Sequence, residues 1–376
     1  MLNHNEYIIN FSNAKKLDFI LISLILSLFC IGILMLYSAA GGNLKPWAAL
    51  QLKRFIFFIP VCLLISITNI KIIFKYAYFS YLLSILLLIY VDIYGVTSMG
   101  AKRWVNLYII NLQPSELVKI TLILALSRYF HNIHIKKIKS IYSLITPIIL
   151  TLIPVYLILK QPDLGTSLIL LSTAILIFFI AGVGISKFII SAISIILSIP
   201  LLWHNLKDYQ KQRIITYLNP ENDPLGAGYN IIQSKIAIGS GGLLGQGYLS
   251  GSQGQLNFLP EPETDFIFTM IAEEFGFIGS MIVIILFSLL FLRLINITTK
   301  TKSSFGKYLV AGILTFLFLH FFINIAMVIG IIPVVGAPLP LISYGGTILI
   351  ITLISLSLIL NIEVNKDVNI SKFKKI

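Results

Sequence analysis

Few side chains in this sequence could do chemistry, and most stand in loops. Asp265 sits where a long, glycine-dense segment (209–276) gives way to an apolar helix. Irregular backbone cannot face lipid, so such a segment must lie in water or line a cavity. An acid at its junction with an apolar helix is a functional candidate by default. Glu116 and Lys119 form a second candidate. Lys119 follows Glu116 by three residues, on the same helical face and about 4.5 Å deeper along the axis. A lysine at that depth needs an acidic partner, either Glu116 or Asp163, and a structural ion pair and a substrate-phosphate contact are equally open. Arg103, beside Lys102 and Trp104, is either an interfacial anchor, the commoner role, or a bidentate phosphate clamp.

Other chemistries are missing. There is no HExxH, no nucleophile elbow and no histidine cluster: His131, His134, His204 and His320 are scattered. The glycines at 226–228 and 239–247 suggest a phosphate cradle, but no Walker A lysine follows and no strand–turn–helix frames them. Tight turns or close backbone approach explain them better. Cys30 and Cys62 lie in apolar runs and have neither disulfide nor metal-ligand spacing.

The elements that must position these groups are membrane spans. Hydrophobic residues make up 57% and charged residues 11%, which excludes an ordinary soluble domain. Repeated apolar runs of about 18 or more residues predict an all-α polytopic membrane protein, and their lack of alternation excludes a transmembrane β-barrel. Ten spans are expected, near 18–39, 53–69, 73–94, 113–130, 141–159, 164–182, 185–203, 266–293, 306–329 and 342–362, in one transmembrane domain covering 1–376. The first run lacks a cleavage site and reads as a retained span.

Lys and Arg number 17 in one alternate set of loops and 10 in the other, with Lys119 inside a span. The positive-inside rule then puts both termini in the cytoplasm and the 204–264 loop outside. The formal charge of +13 is spread over short loops beside lipid headgroups, which argues for membrane lipid and against nucleic acid as its partner.

Local geometry adds detail. Gln113-Pro114-Ser115-Glu116 and Gln161-Pro162-Asp163-Leu164-Gly165 look like matched helix starts, each with proline at the first helical position. Residues 231–238 read as a short helix along the outer interface. A helix from Asp265 to Arg293 would measure about 43 Å, with Asp265, Thr269, Ala272, Gly276 and Gly279 on one face as the wall of a groove. Glu273 and Glu274, about 12 Å further along, need partners or water. The uncharged stretch 324–346 reads as a connection dipping against the bundle, with Asn324 and Ser343 as polar contacts.

At GAKRW (100–104), QPSELVK (113–119), QPDLGTS (161–167), YQKQRI (209–214), DPLGAGYNIIQSKIAIGSGGLLGQG (223–247), LPEPETDFIF (259–268), EEFG (273–276) and PLPLISYGG (338–346) the chain resembles the SEDS family of shape, elongation, division and sporulation proteins. The likeness covers nearly the whole chain and favours the elongation branch. It implies a peptidoglycan glycosyltransferase of the bacterial cytoplasmic membrane that polymerises lipid II, an undecaprenyl-linked glycan precursor, on the outer face. Its implied partners are a class B penicillin-binding protein as transpeptidase and other elongation-complex proteins. The family's catalytic aspartate falls on Asp265, its polar pair on Glu116 and Lys119, and the aspartate of QPDLG on Asp163. Pro262-Glu263 departs from the family, where a basic residue is common, and makes the surroundings of Asp265 more acidic.

The expected mechanism has Asp265 as general base toward a sugar hydroxyl. Positive charge for a diphosphate leaving group would come from Arg103, Lys119, Arg213 or Lys235, or from a divalent ion (Mg or Mn) on Asp265 or a neighbouring acid. Gln253 and Ser343 complete the substrate-contact candidates. The competing expectations are a flippase for the lipid-linked precursor and a scaffold for a transpeptidase.

Overall fold

The computed structural model describes residues 11–98, 101–106, 111–134, 138, 140–205, 211, 215–216, 227–256, 258–259 and 261–371. All ten predicted spans are helices: α1 (Phe19–Ala39), α2 (Trp47–Ile67), α3 (Ile70–Tyr94), α4 (Pro114–Asn132), α5 (Tyr142–Lys160), α6 (Leu164–Ile180), α7 (Ile185–Asn205), α10 (Ile267–Lys300), α11 (Ser304–Ile329) and α12 (Gly346–Val364). Two shorter helices, α8 (Ala227–Ser240) and α9 (Ser252–Gln255), lie in the long loop. Seven of the described helices (α1, α2, α3, α5, α10, α11 and α12) are long and apolar enough to cross a membrane. The chain is a multi-pass membrane protein.

Local signals set many helix ends. Asp18 caps α1 by accepting from the Ile20 and Leu21 N–H groups, and its other oxygen holds Arg293 at 2.6 Å. Pro114 stands in the first turn of α4, where a missing N–H costs nothing. Gly330 ends α11 at φ 82°, a conformation that favours glycine. One matched-start expectation fails: α6 begins after Asp163, which is itself the N-cap and accepts from the Thr166 N–H and hydroxyl, so Pro162 lies outside the helix.

Helices α4, α11 and α12 form the centre of the bundle. α2 packs on α12, α3 on α4, α10 on α1 and α11, and α6 on α11. Several polar groups inside are paired across helices, as a medium without water favours. Ser84 bonds Thr121 at 2.7 Å, and the Asn361 amide donates to the Ile65 and Thr68 carbonyls at the end of α2. Between α3 and α4 the chain makes a small antiparallel sheet, β1 (Val96–Ser98), β2 (Ala101–Asn106) and β3 (Asn111–Leu112), in that order. Only the tertiary arrangement reveals these strands, each too short to declare itself by alternation.

The long α10 departs from expectation. It starts at Ile267 and breaks at Gly276, so Asp265 precedes the helix and the continuous face through Gly279 does not form.

Candidate active site

Asp265 lies in a turn whose backbone is fastened from α11 and from the 330–345 connection. The Asn324 amide, fully buried, donates to the carbonyls of Asp265 (2.9 Å) and Ala337 (2.8 Å). The Ser343 hydroxyl donates to the Thr264 carbonyl at 2.6 Å, and the Tyr344 N–H to the Glu263 carbonyl at 2.8 Å. Asn324 and Ser343 therefore act as the polar contacts expected of them, but toward the Asp265 turn. Gly336, at φ 75°, comes so close to the carboxylate that a Cβ there would lie 3.1 Å from Oδ2. Beside it, burial pushes the Glu263 carboxyl above the usual range, and the charge of Glu261 adds to the rise.

Arg103 projects from β2. Its guanidinium donates to the carbonyls of Gln161 (3.0 Å) and Pro162 (2.8 Å) and lies 3.8 Å from Asp163 Oδ2. It ties the small sheet to the start of α6. Asp163 belongs to Arg103, and the partner of Lys119 is Glu116, at 2.6 Å. The Lys119 ammonium also meets His320 Nε2 at 2.9 Å and lies over the Phe316 ring. With the lysine donating to Nε2, the ring proton sits on Nδ1 and faces the Pro338 carbonyl at 3.3 Å.

These groups surround one cavity of about 940 Å³, lined among others by Arg54, Arg103, Glu116, Asp163, Asp265 and His320. Two lining atoms are buried with no protein partner among the described residues: Arg54 Nη1, a donor, and Glu116 Oε2, an acceptor. Buried polar atoms left unsatisfied require a partner, and in a cavity a ligand or water can supply it. The cavity also presents Trp104 and the amides of Asn111, Gln113 and Asn230.

The predicted residues divide. Asp265, Arg103, Glu116 and Asp163 share the cavity, and Lys119 lies behind Glu116. Lys235 is absent from the lining and rests against Gly330, in the middle of α8. Gln253 is held by its backbone N–H to Glu273 at 2.8 Å, away from the cavity, and Ser343 braces the Asp265 turn. Arg213 lies outside the described residues.

The sequence reading missed Arg54. A span starting at 53 places it at the interface, whereas α2 starts at Trp47, which puts Arg54 about 10 Å into the helix. There it lies over the Tyr344 ring at 5.4 Å, against Gly346. His320 was also missed, although a histidine midway along an apolar run is itself a signal.

Among the described residues no three Asp, Glu, His or Cys side chains converge as a cation cage. Asp265 could give a divalent ion one carboxylate ligand, the remainder coming from water and substrate phosphate, as Mg²⁺ commonly allows. Chelator treatment is therefore expected to leave the thermal unfolding temperature of the purified protein unchanged. A clear fall in that temperature would reveal a structural ion.

A family model of cell cycle proteins, that of FtsW, RodA and SpoVE, matches residues 18–368. The peptidoglycan glycosyltransferase MrdB of Escherichia coli K12 is 39% identical over 95% of this chain and 96% of its own. Stage V sporulation protein E of Bacillus subtilis is 34% identical over 92% and 96%. Among solved structures, a chain from a peptidoglycan synthase complex that coordinates polymerization and crosslinking superposes with a TM-score of 0.81 at 29% identity, covering 93% of this chain and 98% of that one. The rod shape determining protein RodA of Thermus thermophilus gives 0.70 at 27%, covering 93% and 97%.

Proposed function

The chain belongs to the FtsW, RodA and SpoVE family of cell cycle proteins, and we propose that it is a peptidoglycan glycosyltransferase in which Asp265 is the general base. The transferase role rests on relatives of that name matched over nearly their whole length. The site assignment rests on one observation: a single cavity presents the Asp265 carboxylate together with the guanidiniums of Arg54 and Arg103.

That combination suits glycosyl transfer from a diphosphate-linked donor. Asp265 accepts the proton of the acceptor sugar's 4-hydroxyl as its oxygen bonds to the donor's anomeric carbon. The bond from that carbon to the diphosphate oxygen breaks, the diphosphate leaves with the electron pair, and the centre inverts. A diphosphate needs charge stabilisation more than protonation, so fixed cations are the appropriate aid. Arg54 is assigned to it because its Nη1 lacks a protein partner among the described residues and Gly346 leaves it room. The planar fork of arginine fits phosphate oxygens. Arg103, bound to two carbonyls and near Asp163, shapes the cavity wall and adds positive potential. Trp104 and the cavity amides offer a stacking face and hydrogen bonds to sugar rings.

The substrate is lipid II, its polyprenyl tails lying among the spans. The Asp265 end of the bundle faces outward from the bacterial cytoplasmic membrane, with both termini in the cytoplasm, as the unequal loop charges indicate. The likeness to a polymerizing and crosslinking complex supports a transpeptidase partner, a class B penicillin-binding protein. The test is polymer formation by purified protein with lipid II and that partner, comparing wild type with Asp265→Asn.

Arg54→Ala is expected to lower kcat/KM for lipid II by about 10- to 100-fold, the value of a charge-assisted hydrogen bond of about 1.5–3 kcal/mol. Arg54→Lys should recover only part of it. An unchanged kcat/KM in the alanine variant would exclude Arg54 from diphosphate binding.

A further inference from the structure

The glycines at 239–247, which no phosphate chemistry claims, have a structural partner. At Gly276 the backbone of α10 turns to φ 64° and ψ −159°. In an unbroken helix the N–H groups of Phe277 and Ile278 would donate to the carbonyls of Glu273 and Glu274. Here they donate to the carbonyls of Gly242 (2.9 Å) and Leu243 (3.2 Å), while Gln246 and Gly247 N–H reach the carbonyls of Glu273 (3.0 Å) and Glu274 (3.1 Å). Four backbone groups freed by the break are thus satisfied by the loop, as buried backbone requires. The contact excludes side chains. A Cβ would lie 1.9 Å from the Ala272 oxygen if placed on Gly241, and 2.1 Å from the Glu274 oxygen if placed on Gly245.

Glu273 fastens the same join with its side chain. Fully buried, its carboxylate accepts from the N–H groups of Gln253 (2.8 Å) and Gly254 (3.4 Å) and from the Ser252 hydroxyl (3.3 Å). It thereby caps α9, whose own N-cap, Gly251, has no side chain to do so. Glu274 turns the other way, to the Ser38 hydroxyl on α1. The result isolates residues 267–275, about 13 Å of helix, from the rest of α10. The loop latch holds their rear, and Asn324 and Ser343 hold the Asp265 turn at their front.

We propose that Glu273 is a positioning residue: together with the glycine latch it fixes segment 267–275 against the bundle, and so sets how Asp265 enters the cavity. The inference rests on the reading of Asp265 as the reacting carboxylate. A helix broken one short segment behind its reacting group needs such a hold, because a displacement of about 1 Å can cost about 10²-fold in rate.

The experiment compares Glu273→Leu, Glu273→Gln and Asp265→Asn as purified full-length protein. It measures kcat and KM for lipid II polymerisation per folded molecule, with hydrogen exchange at the latch amides of Gln246, Gly247, Phe277 and Ile278. Glu273→Leu should lose about 10- to 100-fold in kcat with KM little changed, and its latch amides should exchange faster. Glu273→Gln keeps an oxygen for the Gln253 N–H and should recover most of kcat. A wild-type kcat in folded Glu273→Leu would overturn the proposal. So would equal losses in both variants with latch exchange unchanged, which would make Glu273 a chemical participant. Asp265→Asn should lose turnover with wild-type exchange. Normal turnover there would defeat the reading of Asp265 alone, since the latch amides report on Glu273 independently.

Discussion

Asp265→Asn is expected to reduce lipid II polymerisation by about 10²- to 10⁴-fold, the usual contribution of a positioned general base. The substitution is nearly isosteric, and the fastenings of the turn come from its backbone: Asn324 donates to the Asp265 carbonyl and Ser343 to that of Thr264. The amide should therefore occupy the same place beside Gly336 and leave the protein folded. What disappears is the capacity to accept a proton as the glycosidic bond forms. Such a loss appears in kcat, while KM for lipid II stays close to wild type. Polymer length and rate, measured with purified protein and its transpeptidase partner, decide the matter. A folded Asn variant that polymerises at the wild-type rate would remove the carboxylate from the mechanism.

The second large effect concerns stability. Lys119→Met is expected to destabilise the protein by about 3–5 kcal/mol, the typical result of leaving one member of a buried ion pair alone. The Glu116 and Lys119 side chains are 8% and 2% exposed, and the lysine also supplies the hydrogen bond to His320 Nε2. Its loss strands a carboxylate whose Oε2 already lacks a partner among the described residues. The double variant Glu116→Gln with Lys119→Met should regain much of the stability, because removing both charges also removes the desolvation problem. Thermal unfolding in detergent of the two single variants and the double variant gives the coupling. If Lys119→Met unfolds at the wild-type temperature, the pair is not the buried structural unit described.

Much of the architecture was legible because lipid imposes a simple rule on sequence. A span must be apolar for about 20 residues, so ten helices could be drawn within a few residues of where they stand. The same rule drew attention to Lys119, since a charge at such depth must have a partner. Pairing was harder to read. Glu116, nearest in sequence, and Asp163, from another span, were both open to Lys119, and in the fold Arg103 reaches Asp163 from β2 through contacts distant in sequence. Arg54 was obscured by an error of a few residues in the start of α2, enough to move a cavity side chain to the headgroup layer.

The sequence by itself determined that this is an all-helical membrane protein with an acid at the mouth of one span, because composition and local periodicity suffice for that. Only the tertiary structure decided what surrounds the acid and what holds it there. Helix α10 reads as continuous because nothing within it forbids the helix, its two glycines at 276 and 279 being tolerated there. The break at Gly276 is stable only because a loop about thirty residues earlier supplies the missing donors and acceptors. Hydrogen bonds between distant segments carry no local signature, so the latch, the cavity and the guanidinium of Arg54 emerge only when the chain is folded.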